Sequence, residues 1–168
     1  MTVGKTMSDL HNSLHFLLSR TALRCSALFE TRELARHNIS LPMYRALVAL
    51  VGNDDQRLGD LSELADIEMS TLSRLIGTMQ SRRLVTRRRS GKDARAVRIR
   101  ITEQGRALAD KLTAAAEDCE SDTTRGIAAR DIQALKRTLE RIGETVDGLA
   151  EEASAKAKTR PQRRASAA

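Results

Sequence analysis

Apolar residues recur along most of this chain at mixed three and four spacing, the signature of helices with one buried face, and switch only once to strict alternation. From residue 7 to 37, Leu10, Leu14, Leu17, Leu18, Cys25, Leu28 and Phe29 share a face and predict a first long helix, with Ser8 or Asp9 as its cap. The stretch Ile39 to Pro42 breaks it, and Pro42 suits the first turn of a second helix carrying Tyr44, Leu47, Val48, Leu50 and Val51. Gly52, Asn53 and Asp54 end that helix. A third follows over Leu58 to Ala65, with Leu61 and Leu64 facing inward, then a polar turn from Asp66 to Met69. Ser70 is placed to cap a fourth helix, whose buried stripe is Leu72, Leu75, Ile76 and Met79 and whose other face offers Thr71, Ser73, Arg74, Thr78 and Arg82.

Alternation then takes over. Leu84 to Arg89 and Ala96 to Thr102 flank a turn containing Gly91, and Val97, Ile99 and Ile101 alternate with Arg98 and Arg100, which predicts a hairpin. Thr102 can cap a fifth helix with the stripe Ala107, Leu108, Leu112, Ala115, Ala116 and Cys119, running to about Gly126. A last helix is expected over Asp131 to Glu152. Its residues Ile132, Leu135, Leu139, Ile142, Val146 and Leu149 fall at steps alternating between three and four, a coiled-coil seam rather than a stripe lying on a core. It lacks a good cap, since Ala128 and Ala129 stand where Ser or Asp is expected. The segment 153–168 has no large apolar residue and reads as a disordered basic tail.

Charge sharpens this picture. Residues 70 to 100 hold ten arginines and lysines against the single acid Asp93, a net +9, and the chain from residue 156 onward adds five more. The total is only +7, so the remainder is acidic. A basic stripe on an acidic body favours a polyanion in one orientation, because neutralised phosphates release their condensed counterions. Composition bounds the rest. A chain of 168 residues with 40% hydrophobic positions suits one small domain with extensions, and Leu and Ala outweigh three aromatic residues as in a mostly helical protein. No apolar run is long enough to cross a bilayer, and Lys5, Asp9, His11, Asn12 and His15 interrupt the N-terminus, so a cytosolic protein is expected. Cys25 and Cys119 form no ligand pattern and read as buried small hydrophobes.

The blocks Leu41-Pro42-Met43-Tyr44-Arg45, Leu58-Gly59-Asp60-Leu61, Ser70-Thr71-Leu72-Ser73-Arg74-Leu75-Ile76, Leu84-Val85, Asp93-Ala94-Arg95-Ala96-Val97 and Thr102-Glu103-Gln104-Gly105-Arg106 are ordered and spaced as in the multiple antibiotic resistance (MarR) regulators, which the chain resembles over about residues 10 to 150. One departure is Tyr44, where many members have Trp. The resemblance implies a mainly α fold with a small β-hairpin wing: a winged helix-turn-helix over 39–102, and a helical dimerisation region over 7–38 and 103–152. It also implies a homodimeric DNA-binding regulator, a repressor in the commonest case, with Arg95 at the wing tip where a guanidinium enters the minor groove.

On that reading the fourth helix enters the major groove. Ser70, Thr71, Ser73, Arg74, Thr78 and Arg82 are its candidate DNA contacts. Free amides at its start would favour phosphate, and Arg74 either reads guanine or grips the backbone. Arg87, Arg88, Arg89, Lys92 and Arg98 read as phosphate contacts that position without specifying, and Asp93 braces the turn. Two-fold symmetry predicts an inverted-repeat operator in double-stranded DNA. The tail either adds non-specific affinity or merely keeps the chain soluble.

Many members of that family release DNA on binding a small aromatic acid, phenol or related thioester. His11, His15, Arg20, Tyr44 and Arg45, with His37, are candidates to line such a pocket, though the histidines equally suit a solvated helix face. Some relatives sense peroxide through a first-helix cysteine, and Cys25 lies on that helix, but a thiol on an apolar face mid-helix is a poor thiolate. No clustered Ser/His/Asp logic or phosphate loop marks an enzyme, and His11 and His15, whose i, i+4 spacing also fits a metal pair, lack the nearby acids that would complete one. Asp54 and Asp55 read as helix-ending residues. A sequence-tolerant architectural DNA binder is the alternative, and an RNA reader is disfavoured because no aromatic interleaves the basic stretch.

Overall fold

The computed structural model describes residues 11–89 and 97–159. Helix α1 (Leu14–Phe29) starts on Ser13, whose hydroxyl accepts the Phe16 N–H at 3.3 Å. The caps expected at Ser8 and Asp9 lie outside the described residues. The helical path does not end at Phe29 but widens into a π turn (Glu30–Leu34) and tightens into a 3-10 turn (Ala35–His37) before Asn38 stops it in the left-handed region at φ 52°. The Ile39 N–H closes on the Leu34 carbonyl at 3.1 Å, sealing two buried side chains beneath the turn. Along the apolar face expected for α1, Phe29 is buried and Leu17 and Leu18 are half-buried, whereas Leu14, Leu28 and Cys25 are exposed. Cys25 is therefore not the buried small hydrophobe the sequence suggested. Cys119 is.

The core lies beneath the next three helices. In α2 (Leu41–Gly52), capped by Ser40 and with Pro42 in its first turn, Met43, Ala46, Leu47 and Leu50 point inward. Helix α3 (Leu58–Ala65) buries Leu61 and Ala65 and ends at Asp66 in the left-handed region. Leu64, expected to face inward, is 52% exposed, because the eight-residue helix turns only its Leu61 and Ala65 edge to the core. Helix α4 (Met69–Ser81) presents Leu72, Ile76 and Met79, all fully buried, and no polar or charged residue joins this core among the described residues.

Three antiparallel strands complete the winged domain in the order β1-β3-β2: β1 (Gln56–Arg57), β2 (Val85–Arg89) and β3 (Val97–Ile101). The hairpin β2-β3 follows the predicted alternation, with Ile99 fully buried. Strand β1 was not legible, since two residues are too few to show a period. Thr102 caps α5 (Glu103–Thr123) as expected, its hydroxyl accepting the Gly105 N–H at 2.9 Å, and the helix buries Ala109, Leu112 and Cys119 while Ala107 stays exposed.

A separate unit contains α6 (Ala129–Thr159). The Ala128 carbonyl receives the Asp131 and Ile132 N–H groups at 2.9 and 3.2 Å, so backbone bonding starts the helix where a side-chain cap is lacking. Leu135, Leu139, Val146 and Leu149 of its seam are exposed. The helix runs to Thr159 instead of ending near 152, which corrects the boundary drawn at residue 153: Ala and Lys, which make up most of residues 153–159, are good helix formers, and propagation from an existing helix needs no apolar face. Residues 160–168 of the expected tail lie outside the described residues. No described helix is long and apolar enough to cross a membrane.

Candidate nucleic-acid interface

The inward stripe of α4 fixes which side chains it shows to solvent. With Leu72, Ile76 and Met79 locked in the core, Ser70, Arg74, Gly77, Thr78 and Gln80 are exposed and Thr71 and Ser73 half-buried. The cap is not Ser70 but Glu68, whose carboxylate accepts the Thr71 N–H at 2.9 Å and the Ser70 hydroxyl. Ser70 belongs to the first turn. The hydroxyl of Ser70, then the backbone amides of Ser70 and Thr71, hold the Glu68 carboxyl down to about 2. These amides, which sequence reasoning left open for phosphate, are thus engaged by an ionised side chain of the protein itself. Gly77 escaped attention. On the same face as Arg74 and Thr78, it has nothing within 4 Å of a hypothetical Cβ, so packing does not explain a residue that weakens helices.

Several candidate cations are already engaged. Arg82, expected on the exposed face of α4, follows its last residue, and its guanidinium donates to the His37 carbonyl at 2.7 Å and to the Asn38 carbonyl. It braces the end of α4 against the turn that ends the first helical path. Arg87 donates to the Ser73 carbonyl at 2.9 Å, tying β2 to α4. Arg98, read as a phosphate contact, pairs with Asp55 at 3.0 Å and also donates to its carbonyl. Arg74 and Arg88 are exposed and have no ion pair among the described residues. Lys92, Arg95 and Asp93 lie outside the described residues, as does the side chain of Arg89. Arg57, missed in the sequence because nothing marked β1 as a strand, is exposed and stands opposite Arg98, which in turn stands opposite Arg88.

The candidate effector residues do not converge within the chain. His11 and Arg20 both meet Phe16, with ring centroids 4.9 Å apart and the guanidinium 5.3 Å from the ring centre, and His15 is exposed one turn on from His11. Tyr44 instead packs edge-on against Phe29 at 5.1 Å. At 1.5 Å per residue, Phe16 and Phe29 are about 20 Å apart along α1. Arg45 pairs with Asp66 at 2.8 Å and, with Tyr44, Val48 and Leu64, lines an open cavity of about 240 Å³. His37 contributes its carbonyl to Arg82. Another cavity, of about 270 Å³, is lined by Cys25, Phe29, Ala116, Cys119, Glu120 and Thr123, so both cysteines border it.

A helix held by its inner face, showing Arg74, Gly77 and Thr78 outward and followed by an arginine-bearing ribbon, defines a winged helix-turn-helix DNA-binding protein. Residues 29–112 match the family of transcriptional regulators described as SarA/Rot. The organic hydroperoxide resistance transcriptional regulator of Bacillus subtilis (strain 168) is 31% identical over 102 residues, 61% of this chain and 69% of that one. A MarR-family transcriptional regulator from Silicibacter pomeroyi DSS-3 is similar in structure at a TM-score of 0.66 and 32% identity, over 79% of this chain and 96% of that one. The transcriptional repressor CouR, solved bound to a 23-mer DNA duplex, shares the fold at a TM-score of 0.73 and 24% identity, over 82% and 97% of the two chains. The chain belongs to the MarR-type transcriptional regulators, a family of DNA-binding proteins rather than enzymes.

Proposed function

We propose that the protein acts as a homodimer that binds an inverted-repeat operator and represses transcription until a small aromatic acid, phenol or related thioester displaces it. The observation that carries this reading is the exposed Arg74, Gly77 and Thr78 face of a helix whose other side is locked in the core. In this reading Arg74 reads guanine while Ser70, Thr71, Ser73 and Thr78 make the shorter contacts. Arg88, Lys92 and Arg95 hold the backbone and the minor groove. Arg82, Arg87 and Arg98 act instead by holding the helix and the wing in place. The dimer is supported by the exposed seam of α6 and the uncovered face of α1. Repression is argued from likeness to CouR, named a transcriptional repressor. The effector would occupy the Tyr44 and Arg45 cavity, with His11, His15 and Arg20 joining it only if dimerisation brings the far end of α1 there. Footprinting of the upstream intergenic DNA tests the reading: a bounded, symmetric footprint erased by one compound of an aromatic-acid panel is expected. Diffuse protection would point to an architectural binder.

A second reading is favoured by one observation. Cys25 is exposed and shares a cavity with Cys119, and the B. subtilis relative is named for organic hydroperoxide resistance. The Cys25 thiolate would attack the peroxide oxygen and release an alcohol, and the Cys119 thiol would then displace water from the sulfenic acid to give a disulfide. Mass spectrometry after one equivalent of cumene hydroperoxide should find the Cys25–Cys119 crosslink together with loss of DNA binding. Unmodified thiols and intact binding would remove this reading.

A further inference from the structure

The ribbon carries a charge problem that the loop before it solves. Residues directly opposite in an antiparallel sheet point to one face, so the register sets Arg57, Arg98 and Arg88 side by side across all three strands, with Arg100 next to them. Like charges so placed repel, and nothing within the strands compensates. Asp54 and Asp55, immediately before β1, do. The Asp54 carboxylate accepts the Ile101 N–H at 2.9 Å and its own neighbour's N–H at 2.8 Å, and lies 3.7 Å from the Arg100 guanidinium. Asp55, in the left-handed region at φ 59°, presents its carboxylate to Arg98 at 3.0 Å while its carbonyl accepts from the same guanidinium.

We propose that Asp54 and Asp55 are positioning residues for DNA binding, a latch that holds the inner wing strand through Arg98, Arg100 and the Ile101 amide, so that these acids strengthen DNA binding although they add negative charge beside a basic surface. The inference rests on the DNA-binding reading, and it reverses what charge alone predicts. Acids near phosphates should repel DNA, and neutralising them should tighten the complex. A latch predicts the opposite, because the wing anchored at the base of β3 loses its orientation when the carboxylates are removed.

The test has one arm with DNA and one without. In hydrogen exchange of the free protein, Asp54→Ala and Asp55→Asn should each deprotect the Val97–Ile101 segment while leaving α2 and α5 protected. In anisotropy titrations on the upstream duplex, each should bind roughly three- to tenfold more weakly than wild type, the scale of losing one polar anchor. Arg98→Lys separates the roles further. Lysine keeps the charge and would sustain a phosphate contact with an unchanged salt slope, whereas it cannot reproduce the two-point grip on Asp55, so a latch predicts weaker binding and the Asp55→Asn exchange pattern. Because Arg98→Lys preserves the ion-pair charge, it remains informative if an Asp variant fails to fold. Unchanged protection of Val97–Ile101, or binding by the Asp variants as tight as wild type or tighter, would overturn the latch. Wild-type protein failing to prefer the upstream duplex would count against the specific-regulator reading and leave the exchange arm to decide the latch alone.

Discussion

A Cβ at Gly105 would stand 2.1 Å from the Leu84 carbonyl oxygen and 3.0 Å from the Leu84 carbonyl carbon, at the junction where α5 leaves the sheet. That carbonyl also receives the Thr102 N–H and hydroxyl, both at 3.0 Å, so it cannot retreat without breaking the cap. Gly105→Ala should therefore destabilise the fold by about 1–3 kcal/mol, the scale of overpacking, read as a lower midpoint in urea unfolding. The Glu68 carboxyl lies below its ordinary value of 4.5, at about 2. Its ionised form is favoured in the fold, so its contribution is fully present above pH 4.5 and is lost as pH falls from there through 2. Glu68→Gln should flatten that part of the Tm against pH curve, which circular dichroism can follow. The residue scale is where sequence reading was weakest. Ser70 looks like a cap as plausibly as Glu68, and only the backbone path, with Glu68 just outside the helix and Ser70 in the first turn, decides between them. Arg82, Arg87 and Arg98 look in the sequence like Arg74 and Arg88, which have no ion pair among the described residues, until their carbonyl and carboxylate partners from distant parts of the chain are in view.

Elements were largely legible because burial imposes a period. Leu72, Ile76 and Met79, or Ile99 between Arg98 and Arg100, announce which face is inside before any contact is known. The π and 3-10 turns after Phe29 and the two-residue β1 were not legible, since neither changes the apolar spacing and both depend on tertiary closure. Gly77→Ala removes a helix-weakening glycine without meeting any neighbour, so it should stabilise the free protein by about 0.5–1 kcal/mol while weakening DNA binding if α4 approaches a groove on that face. Parallel unfolding and anisotropy measurements check both signs. A gain in stability with unchanged affinity would place DNA elsewhere.

For the molecule as a whole, α6 carries Leu135, Leu139, Val146 and Leu149 exposed along a seam that the alternating spacing already revealed, whereas the continuation of the helix to Thr159 was hidden because Ala, Ser and Lys occur in helices and tails alike. Under the dimer reading, Leu139→Glu places a charge in that seam. The variant should elute as a monomer in light-scattering chromatography and lose operator affinity while its winged domain stays folded. On the proposed reading, this chain reads a DNA sequence through α4 and holds the duplex by a basic ribbon. That reading is tested most directly by titrating the protein onto its own upstream duplex and onto a scrambled duplex across a range of salt concentrations, with wild type beside Arg74→Ala. The account predicts that wild type prefers the upstream duplex and that both affinities fall steeply with salt. It also predicts that Arg74→Ala loses about 1–3 kcal/mol on the upstream duplex and less on the scrambled one. Equal wild-type affinity for the two duplexes, or an Arg74→Ala loss that is the same on both, would contradict it.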